Sequence, residues 1–326
     1  MWSWLATEQQ LTHKRFTRFV DRLEPTLKDL ALDTGTYLGV AENRKKMDNL
    51  PVGVSFIGLL PLFFLDAFPV NRKLVRKLTY CTTLGTLYAL SVDKLIDSQV
   101  ESTPRHIFLA TSLFGEFQRS LMGIFGERSR FWVLHDRYFR EHHSAELYHI
   151  YERTDPRNFS FLQYQQIAKA KSAPLKIALA GLAFIANRPA LIKRLSTSID
   201  DFLVGFQLYD DAMDWREDYL QNRSTPVTVR IASMMEKQEL HIKTTGSNIY
   251  EVLVHSSDIL ETTLDESSRW FKKALKNSEG VDCGTWRKLL YHLMETNRKT
   301  TEELVSAKVM LLFGENNLSK ASCEIA

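Results

Sequence analysis

The sequence predicts an all-α protein folded as one domain over residues 1–326, and three observations carry that expectation. Apolar residues recur at three- and four-residue spacing through every long segment, the spacing that lines one face of a helix. Alternating apolar and polar runs bounded by turn pairs, the mark of strands, are absent. Only 14 glycines in 326 residues leave few sharp turns.

Taken in order, the first apolar stretch is Val52 to Val70. It runs uncharged from Val52 to Leu65, about 14 residues, short of the roughly 20 a spanning helix needs. Pro61 and Pro69 punctuate it, so a buried core helix is the expectation, with peripheral membrane contact left open. The periodic pattern then predicts helices over Leu74–Ile96, Phe108–Phe125, Phe131–Tyr151, Tyr164–Ile185, Leu191–Leu220, Ile249–Leu275 and Thr285–Phe313. Pro51, Pro69, Pro104, Pro156, Pro189 and Pro226 fall between these stretches, as residues that end helices should. Pro174 lies inside one and is expected to kink it. The polar tail, residues 314–326, is expected to fray.

Composition excludes several classes. A net charge of +3 over 326 residues gives no case for nucleic acid. Cys81, Cys283 and Cys323 are too few and too scattered for a disulfide framework or a zinc site, which makes a reducing cytoplasm the default. The N-terminus lacks a basic region followed by an apolar core, so no signal peptide is expected. No Gly/Ser-rich linker or block of like charge divides the chain.

The chemistry concentrates in Gly205-Phe206-Gln207-Leu208-Tyr209-Asp210-Asp211-Ala212-Met213-Asp214. Asp210 and Asp214 stand at i and i+4, on one face of a helix, where like charges cost a few tenths of a kcal/mol. A divalent cation would offset that repulsion. Mg²⁺ prefers carboxylate oxygens and completes its shell with waters and substrate phosphates. A second pair, Asp93 and Asp97, repeats the spacing near the end of an apolar helix, although Lys94 and Arg105 could simply neutralise it. Two such helices facing each other across a bundle would make a core metal site. Lys171-Ser172 adds a compact cation suited to phosphate, or else a solvated turn of helix. The run Glu141-His142-His143-Ser144-Ala145-Glu146-Leu147-Tyr148 has His–carboxylate spacing, but no second copy completes a di-iron pattern. A role for His143 or Glu146 as a proton-removing base has no support in the sequence.

Together these elements resemble the class I isoprenoid synthase superfamily. Phe206-Gln207-x-x-Asp210-Asp211-x-x-Asp214 is similar to the second aspartate-rich motif of trans-prenyl diphosphate synthases. Lys171-Ser172 stands where that family carries Lys-Thr, and Asp93-x-x-x-Asp97 occupies the place of the first motif. Asp214-Trp215-Arg216-Glu217-Asp218 also looks like the Asp-x-x-Glu-Asp of squalene/phytoene synthases. The resemblance covers roughly residues 80–226. It implies a single-domain terpenoid synthase bundle around a central apolar cavity and three Mg²⁺ ions. It assigns Asp93, Asp97, Asp210, Asp211 and Asp214 to the metals, and Gln207 and Lys171 to substrate or diphosphate. A hydrocarbon cation needs apolar, π-rich walls, for which Tyr88, Phe114, Phe117, Tyr148 and Phe206 are candidates, although aromatics at helical spacing also serve as plain core.

Departures narrow the expectation. The paired arginine that follows the first motif in chain-elongating synthases is replaced by Ser98-Gln99-Val100-Glu101-Ser102-Thr103-Pro104-Arg105. Tyr209-Asp210 stands where squalene-type enzymes carry Asn-Ile. The expected activity is therefore a Mg²⁺-dependent terpene synthase that ionises a linear allylic prenyl diphosphate and cyclises or quenches the carbocation. A prenyltransferase using a small acceptor or another prenyl diphosphate is the alternative. A non-catalytic subunit of a prenyl synthase complex is the rival from another class. The family often forms dimers, so a homodimer is one option.

Overall fold

A computed structural model describes residues 3–36, 56–96, 104–151, 159–171, 173–237 and 249–323. Every regular element among them is helical: α1 Ser3–Asp21, α2 Pro25–Thr36, α3 Leu60–Phe63, α4 Arg72–Ile96, α5 Pro104–Phe125, α6 Phe131–Tyr151 and α7 Phe161–Lys171. The chain continues through α8 Leu175–Ile185, α9 Leu191–Met213, α10 Trp215–Leu220, α11 Pro226–Lys237, α12 Ile249–Ser256, α13 Ile259–Asn277 and α14 Gly284–Cys323. Its packing divides into two compact units. The first takes Met1–Glu146, Ala170–Ser196 and Gly280–Trp286; the second takes Leu147–Lys169, Thr197–Glu279 and Arg287–Ala326.

In the first unit α4 is the central element, packed against α1, α3, α5 and α8. Asn71 caps it by accepting the Lys73 N–H at 2.8 Å. Two of its buried hydroxyls need no distant partners. Thr79 and Thr82 donate to the carbonyls of Val75 and Leu78, each at 2.9 Å, so polar side chains can sit in the core. Two glycines set the packing distance: a Cβ at Gly85 would lie 3.1 Å from the Phe117 ring of α5, and one at Gly181 of α8 would lie 2.9 Å from Leu78. The apolar stretch after residue 55 is buried as expected, with Phe63, Phe64 and Phe68 at or below 1% exposure. It forms a helical turn at residues 56–58, the short α3 and the turns that follow rather than one long helix, because Pro61 and Pro69 withhold amide donors. No helix among the described residues is long and apolar enough to cross a membrane.

In the second unit α9 lies against α13 through Gly205. Ser267 Oγ donates to the Gly205 carbonyl at 2.6 Å, and buried Asn297 donates to Ser267 Oγ at 2.9 Å. A neighbouring core gathers Trp215, Val227, Ile231 and Leu264.

Three predicted helices divide. Tyr164–Ile185 becomes α7 and α8, and Pro174 stands at the N-cap of α8 instead of kinking one continuous helix. Leu191–Leu220 breaks at Asp214, and Ile249–Leu275 breaks at residues 257–258. The last helix runs on to Cys323 rather than ending at Phe313. A lone glycine such as Gly314 costs a helix only about 1 kcal/mol against alanine, and no proline follows it.

The close approach at Gly205 gives a test. A Cβ there would sit 2.8 Å from the Phe271 ring and 2.9 Å from the Ser267 carbonyl oxygen. Gly205→Ala should destabilise the protein by about 1–3 kcal/mol through overpacking, read as a lower thermal midpoint. An unchanged midpoint would refute the contact.

Candidate active site

The predicted site residues fall into two sets, one in each unit. In the first unit, Asp93 lies in the last turn of α4 and Lys171 is the last residue of α7. Lys171 Nζ donates to Asp93 Oδ1 at 2.9 Å and stands 3.5 Å from Glu146 Oε2. His142 Nδ1 donates to the Lys171 carbonyl at 2.6 Å and lies 3.7 Å from Glu146 Oε1. Burial lowers the pKa of His142, opposed by its hydrogen bond to the Lys171 carbonyl, so the ring is held neutral with its proton on Nδ1. A neutral His142 anchors the backbone at the end of α7, while Glu146 and Asp93 neutralise the ammonium. Lys171 and Asp93 remain about one-quarter and two-fifths exposed, open to a competing anion or cation.

Arg105, weighed as a neutraliser of the first acidic pair, instead donates to the Thr26 carbonyl. Asp97 and Ser172 lie outside the described residues. On the same α4, Tyr88 precedes Asp93 by between one and two turns, and its ring lies 4.9 Å from Phe114. Phe114 and Phe117 both meet Phe139, at 5.9 and 6.1 Å, forming an aromatic cluster that the sequence reading had not completed. His135 closes it, its ring 4.8 Å from Phe139, donating from Nδ1 to Asp136 and accepting at Nε2 from Gln118 at 3.1 Å. Burial lowers the His135 pKa as well.

In the second unit, the end of α9 supplies Gln207, Asp210, Asp211 and, at the break that follows, Asp214. The Asp214 N–H still donates to the Asp210 carbonyl at 2.9 Å, so the i, i+4 relation of the two carboxylates survives the break. Asp211 has a different environment. It is 3% exposed, accepts the Tyr164 hydroxyl at 2.6 Å on Oδ2 and accepts Gln207 Nε2 at 2.9 Å on Oδ1. Both oxygens are therefore committed to protein donors, where the resemblance implied a metal ligand. Gln207 likewise serves Asp211, where substrate contact was implied. Burial pushes the Asp211 carboxyl up to about 8, against the opposing effect of its two donors.

Asp218 and Arg223 join this set without having been assigned to it. Asn222, at φ 52°, closes α10 in a left-handed turn: the Arg223 N–H reaches the Asp218 carbonyl at 2.8 Å and the Asn222 N–H the Tyr219 carbonyl at 3.1 Å. That turn returns the Arg223 guanidinium to within 3.4 Å of Asp218 Oδ1. Burial raises Asp218 to about 6, with Arg223 opposing. Asp214 is raised by burial of its carboxyl and then by Glu217, with Arg223 again opposing. Of the remaining predicted wall residues, Tyr148 accepts Gln163 Nε2 at 3.2 Å, and Phe206 stacks on Phe202 at 5.8 Å.

Among the described residues, no three His, Cys, Asp or Glu side chains gather closely enough to hold a metal ion by themselves. Mg²⁺ needs only one or two carboxylates when phosphates and waters complete its shell. Asp210, half-buried, and Asp214, whose side chain reaches solvent although its carboxyl is partly desolvated, meet that requirement with hard oxygen donors among mutually repelling carboxylates.

Asp211 gives a pH test. Its folded pKa lies above the ordinary value of 3.8, so the folded state holds the extra proton between about pH 4 and pH 8 and loses that stabilisation as pH rises through this window. Asp211→Asn should flatten the fall in stability from pH 5 to 8 in denaturant titrations. Parallel profiles for the two proteins would refute the assignment.

No protein-family model matches the chain, and neither does any curated protein sequence. Solved structures do match. A heptaprenyl diphosphate synthase from Staphylococcus aureus superposes with a TM-score of 0.67 at 14% identity, over 91% of this chain and 98% of that one. A geranylgeranyl pyrophosphate synthetase from the archaeon Geoglobus acetivorans gives 0.67 at 16%, over 89% and 97%. A polyprenyl synthase from Caulobacter crescentus CB15, complexed with calcium and isoprenyl diphosphate, gives 0.66 at 18%, over 90% and 95%. The chain therefore has the all-α fold of these prenyl synthase structures.

Proposed function

We propose that the protein binds an allylic prenyl diphosphate, ionises it and transfers the prenyl group to a nucleophilic acceptor. The observation that carries this reading is the ion pair between Lys171 and Asp93, buttressed by Glu146 and by His142 on the Lys171 carbonyl. It is a cation held ready beside a carboxylate in the positions where the prenyl synthase motifs fall. The solved structures of this fold are titled as prenyl diphosphate synthases, which supports transfer over the cyclisation that the sequence ranked first. Without the paired arginine after the first motif, the acceptor is better sought among small nucleophiles than among second prenyl diphosphates.

In this reading Lys171 exchanges its carboxylate partners for a phosphate oxygen, a charge-assisted contact that fixes the leaving group. Asp93, released from Lys171, and the Asp210–Asp214 pair are the carboxylates that would hold Mg²⁺, with Asp97 added by resemblance. When bound, the metal supplies Lewis-acid stabilisation of the departing diphosphate. Asp211 acts through Tyr164 and Gln207, fixing the end of α9 that presents Asp210. Tyr88, Phe114 and Phe117 offer aromatic faces to an allylic cation and keep water from quenching it.

Two outcomes are expected with farnesyl diphosphate and Mg²⁺. Asp210→Asn should lower diphosphate release by about a hundredfold or more, the order seen when a charge-stabilising group is lost, without changing helical content. Lys171→Ala should weaken binding of inorganic diphosphate about 10- to 100-fold, the worth of one hydrogen bond to a charged group. Release by wild type that yields a cyclic hydrocarbon without any acceptor would favour cyclisation instead. No release from geranyl, farnesyl or geranylgeranyl diphosphate, with or without isopentenyl diphosphate, would favour a non-catalytic subunit.

A further inference from the structure

A cavity of about 230 Å³ lies in the first unit between α1 and the opening turns of α4, and five cations line it: Lys14, Arg15, Arg18, Lys73 and Arg76. None of its described lining residues is acidic. The nearby acid is buried Glu8, which Arg76 grips in bidentate fashion, Nε to Oε2 and Nη2 to Oε1, each at 2.8 Å. That pair is internally neutral and fixes one guanidinium. Arg15 is fixed in turn, donating from Nη1 to the Arg76 carbonyl at 3.1 Å. Lys14, Arg18 and Lys73 are exposed around the rim.

The sequence accentuates this local excess. From Arg72 to Val92 helix α4 carries Arg72, Lys73, Arg76 and Lys77 and no acid, although the whole chain is nearly balanced at +3. Four uncompensated positive charges around one concavity repel each other, and a cavity lined by one sign of charge concentrates counter-ions. Guanidinium forks already held in place lose little entropy on meeting a phosphate, and ammonium groups at the rim add point charge.

We infer that this cavity is a second anion site that takes a phosphate-bearing ligand, either a free diphosphate or polyphosphate group or the headgroup of an anionic phospholipid. It is separate from the candidate active site. Lys73 and Asp93 lie twenty residues apart on the one helix α4, about 30 Å along its axis at 1.5 Å per residue. A single diphosphate cannot bridge that distance. The inference does not depend on the proposed reaction.

The test uses the full chain carrying Lys171→Ala, in EDTA, so that neither the candidate active-site lysine nor a metal contributes. Inorganic diphosphate is titrated calorimetrically, and binding to phosphatidylcholine vesicles with and without phosphatidylglycerol is read by sedimentation. Each is repeated with Lys14→Gln, Arg18→Gln and Lys73→Gln combined, and with Lys272→Gln, Lys276→Gln and Lys288→Gln combined, which removes the same charge from exposed positions elsewhere. The site predicts saturable diphosphate binding, or vesicle binding that requires phosphatidylglycerol, weakened about tenfold or more by the first combination and little by the second. It also predicts weakening by salt. Diphosphate binding identifies the free ligand, and vesicle binding alone identifies the headgroup. Absence of both, or equal loss in the two combinations, would overturn the site. If the first combination lowers the thermal midpoint, Arg18→Glu alone gives the same reading.

Discussion

Charge held against its own repulsion is the constraint around which both candidate sets are organised. At the end of α9 and through α10 the chain places Asp210, Asp211, Asp214, Glu217 and Asp218 within a short stretch; burial raises the pKa of Asp211, Asp214 and Asp218, and their acidic neighbours raise it further. The structure meets the cost in two ways. Asp211 is buried and given two hydrogen-bond donors, which removes it from the surface contest. Asp218 receives Arg223, delivered by the left-handed turn at Asn222. Asp210 and Asp214 are left as the pair on the more open side, which is where a cation has most to offer.

The opposite arrangement holds around Lys171. There one ammonium is shared between Asp93 and Glu146, with His142 kept neutral by burial so that it adds no positive charge. An ion pair this exposed contributes little to stability, since solvent screens it. Its significance is positional: it keeps a lysine extended and charged at the end of α7, in a state from which a phosphate can displace a carboxylate at modest cost. The basic cavity between α1 and α4 differs in this respect, because none of its described lining residues is acidic.

Much of this was legible in the sequence. Helical periodicity located the elements from α3 to α10 and from α12 to α14 but not α1, α2 or α11, and α6 matches its predicted span of Phe131–Tyr151. The breaks were harder. At Asp214 and at residues 257–258 no proline or glycine marks the end, so only tertiary packing decides them. The resemblance gave Asp211 to a metal, whereas the fold supplies protein donors to both its oxygens, and a signal for that role was present. Successive residues on a helix are rotated by about 100°, which turns Asp211 away from the face that presents Asp210. It shares one with Gln207 at i, i+4, a spacing that favours a Gln–Asp hydrogen bond. Tyr164, by contrast, gave no sequence signal, because its contact with Asp211 joins segments distant in the chain. Lys171 and Asp93 were each singled out separately; that they meet at 2.9 Å is information only the fold supplies.

The central proposal is that the Asp210–Asp214 pair receives a cation and that Lys171 receives a diphosphate oxygen. The most direct measurement is a crystal structure grown with Mn²⁺ and the thiolodiphosphate analogue of farnesyl diphosphate, with anomalous scattering used to locate the metal. The account predicts Mn²⁺ on Asp210 and Asp214, and Lys171 turned from Asp93 to a phosphate oxygen. Metal absent from Asp210 and Asp214, with Lys171 still paired to Asp93 beside bound analogue, would contradict it.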